Sequence, residues 1–333
     1  MNNNNFFTLK NTIMRKINLL MLSIFTVSIL LVSCGKTVDE SMVLAEHLES
    51  ADSPMDAAAF KNYLITSGDL YTENTAGNVY LIDIRAEADY NDGHAEGAIN
   101  VPAKDVITHL ETADVGSKQI VITCYTGQSA AFVTALVNMS GFNAKTLKWG
   151  MCSWNEATAG SLNSNSKNTY ANDLVTEETA KGPEGTMPVL ETGFETAEEI
   201  LDARIAAVNE AGFGESAITA EVVFENPDNY YIVNYWKTEH YALGHIPTAM
   251  QYSPGNLITT GDLLTLPPSM DETIVVYCYT GQTSAWMTAY LKVLGYNAKS
   301  LKFGVNGMAT DWATEHELTH WSADYIGGYD LVT

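Results

Sequence analysis

Apolar and polar positions follow two rhythms along this chain. Short continuous apolar runs rich in β-branched residues occur at 79–84, Gln119–Thr123 and Ala144–Leu147, and again at 231–233, Thr273–Tyr277 and Ala298–Leu301. Runs of this length, bounded by turn residues, read as strands buried on both faces. Helices are predicted at about 129–139 and 284–294, directly after two of these strands. A longer amphipathic stretch at 196–209 places Ile200, Leu201, Ile205 and Val208 on one face, and Val43, Leu44 and Leu48 suggest a shorter helix nearer the start. Strands alternating with helices predict an α/β chain whose parallel sheets are flanked by helices.

The pattern runs twice. Residues 120–150 read IVITCYTGQSAAFVTALVNMSGFNAKTLKWG and residues 274–304 read IVVYCYTGQTSAWMTAYLKVLGYNAKSLKFG, more than half of them identical without a gap. Upstream, Gly93-His94-Ala95-Glu96-Gly97-Ala98-Ile99 parallels Gly244-His245-Ile246-Pro247-Thr248-Ala249-Met250. The spacing of 154 positions from Cys124 to Cys278 is a domain length, too long for a solenoid repeat. The expected organisation is a signal segment at 1–33, a tether with a short helix at 35–55, a first domain at 56–160, a Ser/Asn/Thr/Gly-rich linker at 161–189 and a second domain at 190–328.

In both copies a cysteine stands where a buried strand ends and a glycine-containing loop enters a helix. Ligands of parallel sheets bind at the carboxyl ends of the strands. Gly127 and Gly281 permit a tight turn with backbone N–H groups facing inward, and the following helix adds its positive end. Donors grouped around a sulfur favour thiolate over thiol and steady an anion bound there, as nucleophilic sulfur transfer requires. A cysteine at a strand end is ordinarily packing, but packing alone would not keep the whole loop alike in two copies.

Charge narrows the classes further. The chain carries 17 basic and 40 acidic residues, a formal charge of −23, which disfavours nucleic acid as a partner. With 46% apolar residues it can still bury ordinary cores. None of the four cysteines, Cys34, Cys124, Cys152 and Cys278, lies in a CxxC pair or near a histidine at zinc spacing, so neither a metal site nor a cofactor is expected. A Cys-x5-Arg phosphatase needs an arginine where Ala130 and Ser284 stand. Cys152 reads as a buried structural thiol, with resolution of an oxidised Cys124 as the other possibility. His94 and His245, each before a turn, read as structural hydrogen-bonders rather than bases.

The first segment reads as an address. Lys10, Arg15 and Lys16 precede an apolar run at 17–32 that is short for a membrane span and has the form of a secretory signal. Its end, Leu31-Val32-Ser33-Cys34-Gly35, resembles the lipobox of bacterial lipoproteins, with Cys34 taking the lipid; an uncleaved anchor helix is the alternative. Met14 begins a tidier signal than Met1. The expected location is the bacterial cell envelope, lipid-anchored at Cys34 and facing the periplasm or exterior.

The loops Cys124-Tyr125-Thr126-Gly127-Gln128-Ser129 and Cys278-Tyr279-Thr280-Gly281-Gln282-Thr283, the Asp83-Ile84-Arg85 strand end and the segment from Gly93 to Pro102 together resemble the rhodaneses, a sulfurtransferase family, over about 56–157 and 217–312. The resemblance implies two tandem rhodanese-like domains in which Cys124 and Cys278 accept a sulfane sulfur. It implies that the backbone amides of Tyr125 to Ser129 and of Tyr279 to Thr283 cradle it, with Asp83, Arg85, His94 and His245 in support. The donor would be thiosulfate or a persulfide and the acceptor a thiol or cyanide; the absence of Lys and Arg from both loops favours a persulfide. The other reading is a non-catalytic binding or sulfur-carrier module at the envelope. The second copy departs from the pattern, since Asn234-Tyr235-Trp236 stands where Asp-x-Arg is expected. That substitution predicts a less firmly held second loop and slower loading at Cys278.

Overall fold

The computed structural model describes residues 38–50, 62–255 and 262–333. The signal segment, Cys34 and the start of the first domain at 56–61 lie outside them. Helix α1 (Glu40–Leu48) comes first. The first domain then runs β1 (Leu64–Ile65), α2 (Ser67–Thr75), β2 (Val79–Asp83), α3 (Glu87–Asp92), β3 (Ile99–Asn100), α4 (Val106–Thr112), β4 (Gln119–Thr123), α5 (Gln128–Met139) and β5 (Ala144–Leu147). Helices α6 (Gly160–Asn165) and α7 (Ala197–Glu215) connect it to the second domain. That domain runs β6 (Ala217–Ile218), α8 (Ala220–Glu225), β7 (Tyr230–Asn234), α9 (Thr238–Tyr241), β8 (Met250–Gln251), β9 (Thr273–Tyr277), α10 (Gln282–Val293), β10 (Ala298–Leu301) and α11 (Thr310–Glu315). Each sheet is parallel, in the order β1-β5-β4-β2-β3 and β6-β10-β9-β7-β8.

The apolar runs become central strands because no side of them meets water. In β4, Ile120 to Thr123 are all buried, and β9 repeats this from Ile274 to Tyr277. Helices α5 and α10 are also buried on nearly every side. One flank covers their own sheet and the other meets the opposite helix, where Ala131, Ala135, Ala285 and Ala289 are small enough for close approach. The predicted face of α7, Ile200, Leu201, Ile205 and Val208, closes this shared core together with Leu44 and Leu48 of α1. Helix α7 runs past the predicted end at 209, through a break at Gly212 where φ is +70°.

The segment expected to be a linker does more than connect. Beyond α6 it lies along the second domain: Lys167 and Tyr170 donate backbone bonds to Asn306 and Met308, and Val175 pairs antiparallel with His245. The end of the chain, from just before the expected boundary of the second domain at 328, lies along the first domain. Gly327 and Tyr329 donate to the carbonyls of Ser153 and Trp154, and Val332 pairs antiparallel with His94. The two straps share a short repeat, Asp173-Leu174-Val175-Thr176 and Asp330-Leu331-Val332-Thr333. Each puts its leucine against the glycine before the histidine, Leu174 on Gly244 and Leu331 on Gly93. Each domain is thus closed by chain that follows the other one.

Candidate active site

Both cysteines sit just past the carboxyl end of a central strand, and both are buried, Cys124 being 3% and Cys278 2% exposed. Gly127 and Gly281 adopt φ of +81° and +80°, a left-handed conformation that turns the loop into α5 or α10. The Cys124 sulfur accepts the Ala130 N–H at 3.4 Å. Burial pushes this thiol above its usual range, against the lowering pull of the Ala130, Thr126 and Gly127 backbone N–H groups. The Cys278 sulfur accepts two N–H groups, from Gly281 at 3.2 Å and Ser284 at 3.3 Å, and donates to Ser284 Oγ at 3.6 Å.

A second turn holds each loop from behind. Trp149-Gly150 and Phe303-Gly304 are left-handed at both residues, and a side chain on either glycine would strike the cysteine loop backbone. Met151 and Cys152 N–H bond the carbonyls of Cys124 and Tyr125 at 2.8 and 3.1 Å. In the second copy Val305 N–H bonds the Cys278 carbonyl at 3.2 Å, and Asn306 Nδ2 the Tyr279 carbonyl at 2.9 Å. With the carbonyls engaged there, the amides are left to face the sulfur. Cys152 is buried, and its thiol is pushed up to about 11, mainly by that burial. This fits a packing thiol.

The supports behind the two loops differ in chemistry. In the first, Arg85 grips Asp83 through Nε and Nη2 at 2.9 and 2.7 Å, and its backbone N–H bonds the same carboxylate. Arg85 Nη2 also donates to the Gly93 carbonyl, and the guanidinium lies 5.9 Å from the Tyr125 ring. Tyr125 is itself tied to Asp89. In the second, Asn234 Oδ1 accepts the Trp236 N–H at 3.2 Å, keeping the backbone bond that Asp83 makes. Asn234 Nδ2 donates to Tyr277 Oη at 2.6 Å, which also accepts the Ile246 N–H. The Trp236 ring stacks on Tyr279 at 5.2 Å, and Tyr279 is tied to His240. The second loop thus has neutral support, as the loss of Asp-x-Arg implied, but more of it than Asn234-Tyr235-Trp236 alone suggested. The ion pair is replaced by a neutral network, built on a tyrosine where the first copy has Thr123.

The remaining site residues fall as follows. Thr126 Oγ1 accepts from Gln128 Nε2, and Thr280 Oγ1 from the Gln282 N–H. Ser129 lies in the first turn of α5, half-buried. Thr283 Oγ1 accepts from Tyr63 of the first domain. His94 and His245 each bond the carbonyl four residues earlier and stack on the tyrosine there at 3.7 Å, as structural histidines do. A cleft of about 530 Å3 opens beside Arg85, between Tyr90 and Pro102. Among the described residues no His/Cys/Asp/Glu group could hold a metal.

Sequence reasoning missed the side chains of Gln128 and Gln282, which point away from their own cysteines. Gln128 Oε1 accepts the Phe303 N–H at 2.7 Å across the domain interface. Gln282 Oε1 accepts the Trp149 N–H at 3.1 Å, and its Nε2 donates to the Leu147 carbonyl at 3.3 Å. The only sequence signal was their identity in both copies.

A family model described as the rhodanese-like domain matches this chain twice, at 66–157 and 225–311, together more than half its length. The chain belongs to the rhodanese-like family. It is 31% identical over 85 residues to the thiosulfate sulfurtransferase GlpE of Shewanella oneidensis, covering 25% of this chain and 83% of that protein. It is 30% identical over 116 residues to an HTH-type transcriptional regulator of Mycobacterium tuberculosis, covering 34% of this chain but only about half, 51%, of the regulator. Among solved structures, the thiosulfate sulfurtransferase of Pseudomonas aeruginosa aligns over 86% of this chain and 49% of its own, at 16% identity and a TM-score of 0.29. Both rhodanese-like matches contain one cysteine loop and the strand before it.

Proposed function

We propose that the protein is a two-site sulfurtransferase using Cys124 and Cys278. The observation that carries the reading is the repeated cradle: a cysteine sulfur at a sheet's carboxyl edge, accepting backbone N–H groups from a loop that enters a helix. In the proposed reaction the cysteine thiolate attacks the outer sulfur of the donor. The donor's S–S bond breaks, and sulfite or a thiolate leaves with the electron pair. An acceptor thiolate or cyanide then attacks the outer sulfur of the cysteine persulfide, and the cysteine leaves as thiolate. The loop amides stabilise negative charge on sulfur throughout. The loops contain neither Lys nor Arg and Arg85 is engaged by Asp83, so a persulfide donor suits the site better than dianionic thiosulfate. The test is intact mass after incubation with glutathione persulfide or thiosulfate, with gain of one sulfur atom per active cysteine expected. No gain with any such donor would overturn the reading.

The deep burial of both sulfurs favours a second reading, a sulfur carrier that holds its persulfide away from solvent. Multiple turnovers with a thiol acceptor would distinguish the enzyme from the carrier. The sequence at Leu31 to Cys34 supports a further part of the proposal, export with a lipid on Cys34 at the bacterial cell envelope. A mature protein that begins at lipidated Cys34 and fractionates with membranes is the expected result. A soluble form beginning at Met1 or Met14 would contradict it.

A further inference from the structure

We propose that Gln128 and Gln282 are positioning residues acting across the domain interface, each setting the sulfur cradle of the domain to which it does not belong. The proposal rests on the sulfur-accepting role proposed for the two cysteines. Gln282 is wholly buried and Gln128 nearly so. Neither side chain bonds its own cysteine. The amide of each occupies the space beside the other domain's loop glycine, where a β-carbon would stand: Gln282 against Gly127, Gln128 against Gly281. The missing side chain at those glycines thus serves both the turn and the passage of the glutamine.

The path from each glutamine to the opposite sulfur is short. Gln282 holds the Trp149 N–H and the Leu147 carbonyl. Trp149 leads directly into Gly150, Met151 and Cys152, whose N–H groups fix the carbonyls of Cys124 and Tyr125. Gln128 holds the Phe303 N–H, and Phe303 leads into the turn whose Val305 and Asn306 fix the carbonyls of Cys278 and Tyr279. Trp149 and Phe303 are held left-handed, a conformation a bulky residue keeps only when its surroundings impose it. Buried backbone N–H groups without partners are strongly unfavourable, so loss of a glutamine releases the turn behind the opposite loop.

The test exploits the crossing. Single-cysteine proteins, Cys278→Ser and Cys124→Ser, report one loop each by single-turnover loading with glutathione persulfide. Gln282→Ala should slow loading at Cys124 about tenfold, the worth of one well-placed neutral hydrogen bond, with a smaller effect at Cys278. Gln128→Ala should do the reverse. Gln128→Glu keeps the acceptor for Phe303 and can accept a hydrogen bond from the Thr126 hydroxyl in place of the one Gln128 donates to it, so it should restore loading at Cys278. Gln282→Glu loses the donor to Leu147 and should not restore loading at Cys124. Gln→Met variants keep the side-chain volume and should behave as the alanine variants do, which covers the case in which alanine destabilises the interface. Slowing confined to each glutamine's own loop, or equal at both cysteines, would overturn the inference. If neither parent protein loads sulfur, the reading beneath it fails, and the inference with it.

Discussion

The two cysteine loops present the same backbone to sulfur while resting on unlike side chains. Behind the first stands a buried Asp83–Arg85 pair, with the guanidinium reaching on to Gly93 and the face of Tyr125. Behind the second stand Asn234, Tyr277 and a Trp236 ring laid on Tyr279. What both retain is an oxygen at the strand end that accepts the backbone N–H two residues on, and a planar group against the loop tyrosine. The same backbone cradle therefore forms with a buried charge behind it and without one. A buried ion pair is costly to desolvate, and a neutral set of similar volume can replace it without loss.

The largest effect expected concerns the cysteines themselves. Cys124→Ser with Cys278→Ser should abolish nearly all sulfur transfer, whereas each single variant should keep part of it. Wild-type turnover in the double variant would remove both nucleophiles from the mechanism.

Next in size is the supporting pair. Asp83→Asn alone leaves the Arg85 charge buried without its partner and should lower unfolding stability by about 3–5 kcal/mol. Installing the second copy's set in the first, Asp83→Asn with Arg85→Trp and Thr123→Tyr, should recover most of that loss in denaturant melts. A triple variant as unstable as the single one would show that the neutral network depends on its own domain. Tyr277→Phe in the second domain leaves the buried Asn234 amide and Ile246 N–H without their acceptor and should cost about 1–3 kcal/mol. It should slow loading at Cys278 and spare Cys124.

The smallest effect concerns the two sulfurs directly. The second sulfur receives two N–H bonds of good geometry, from Gly281 and Ser284, whereas at the first only the Ala130 N–H is so placed and the Thr126 and Gly127 N–H groups act less directly. Cys278 should therefore load a few-fold faster than Cys124, the opposite of what its lost Asp-x-Arg suggested. Burial raises the Cys124 thiol, so little thiolate is present at neutral pH. Its loading rate should keep rising with pH beyond the ordinary thiol midpoint of about 8.5. A rate already level at pH 7 would contradict this.

Much of this was legible along the chain because its signals are local. The β-branched apolar runs within Gln119–Thr123 and Thr273–Tyr277 read as buried strands, and a glycine three residues past each cysteine marked the turn into a helix. What escaped lies between segments far apart in sequence. Tyr277 read only as the end of a buried strand, since nothing local says that its hydroxyl meets Asn234. Gln128 and Gln282 read as loop polar residues, because their partners are 175 and 133 residues away. The straps were hidden differently: their four-residue repeat is visible, but it falls in stretches whose Ser, Asn, Gly and Tyr content gives no periodic signal.

The exchanged straps also give synthesis a direction. The second domain emerges from the ribosome with its cover, residues 170–175, already made. The first must wait for 327–332, produced only after every strand of the second. At synthesis rates of about 5–20 residues per second this delay is on the order of ten seconds. During it the aromatic edge formed by Tyr71 and Trp154, later capped by Tyr329, stays bare. A truncation that removes the last seven residues would hold the nascent chain in that state permanently, and aggregation through the first domain is the failure to look for.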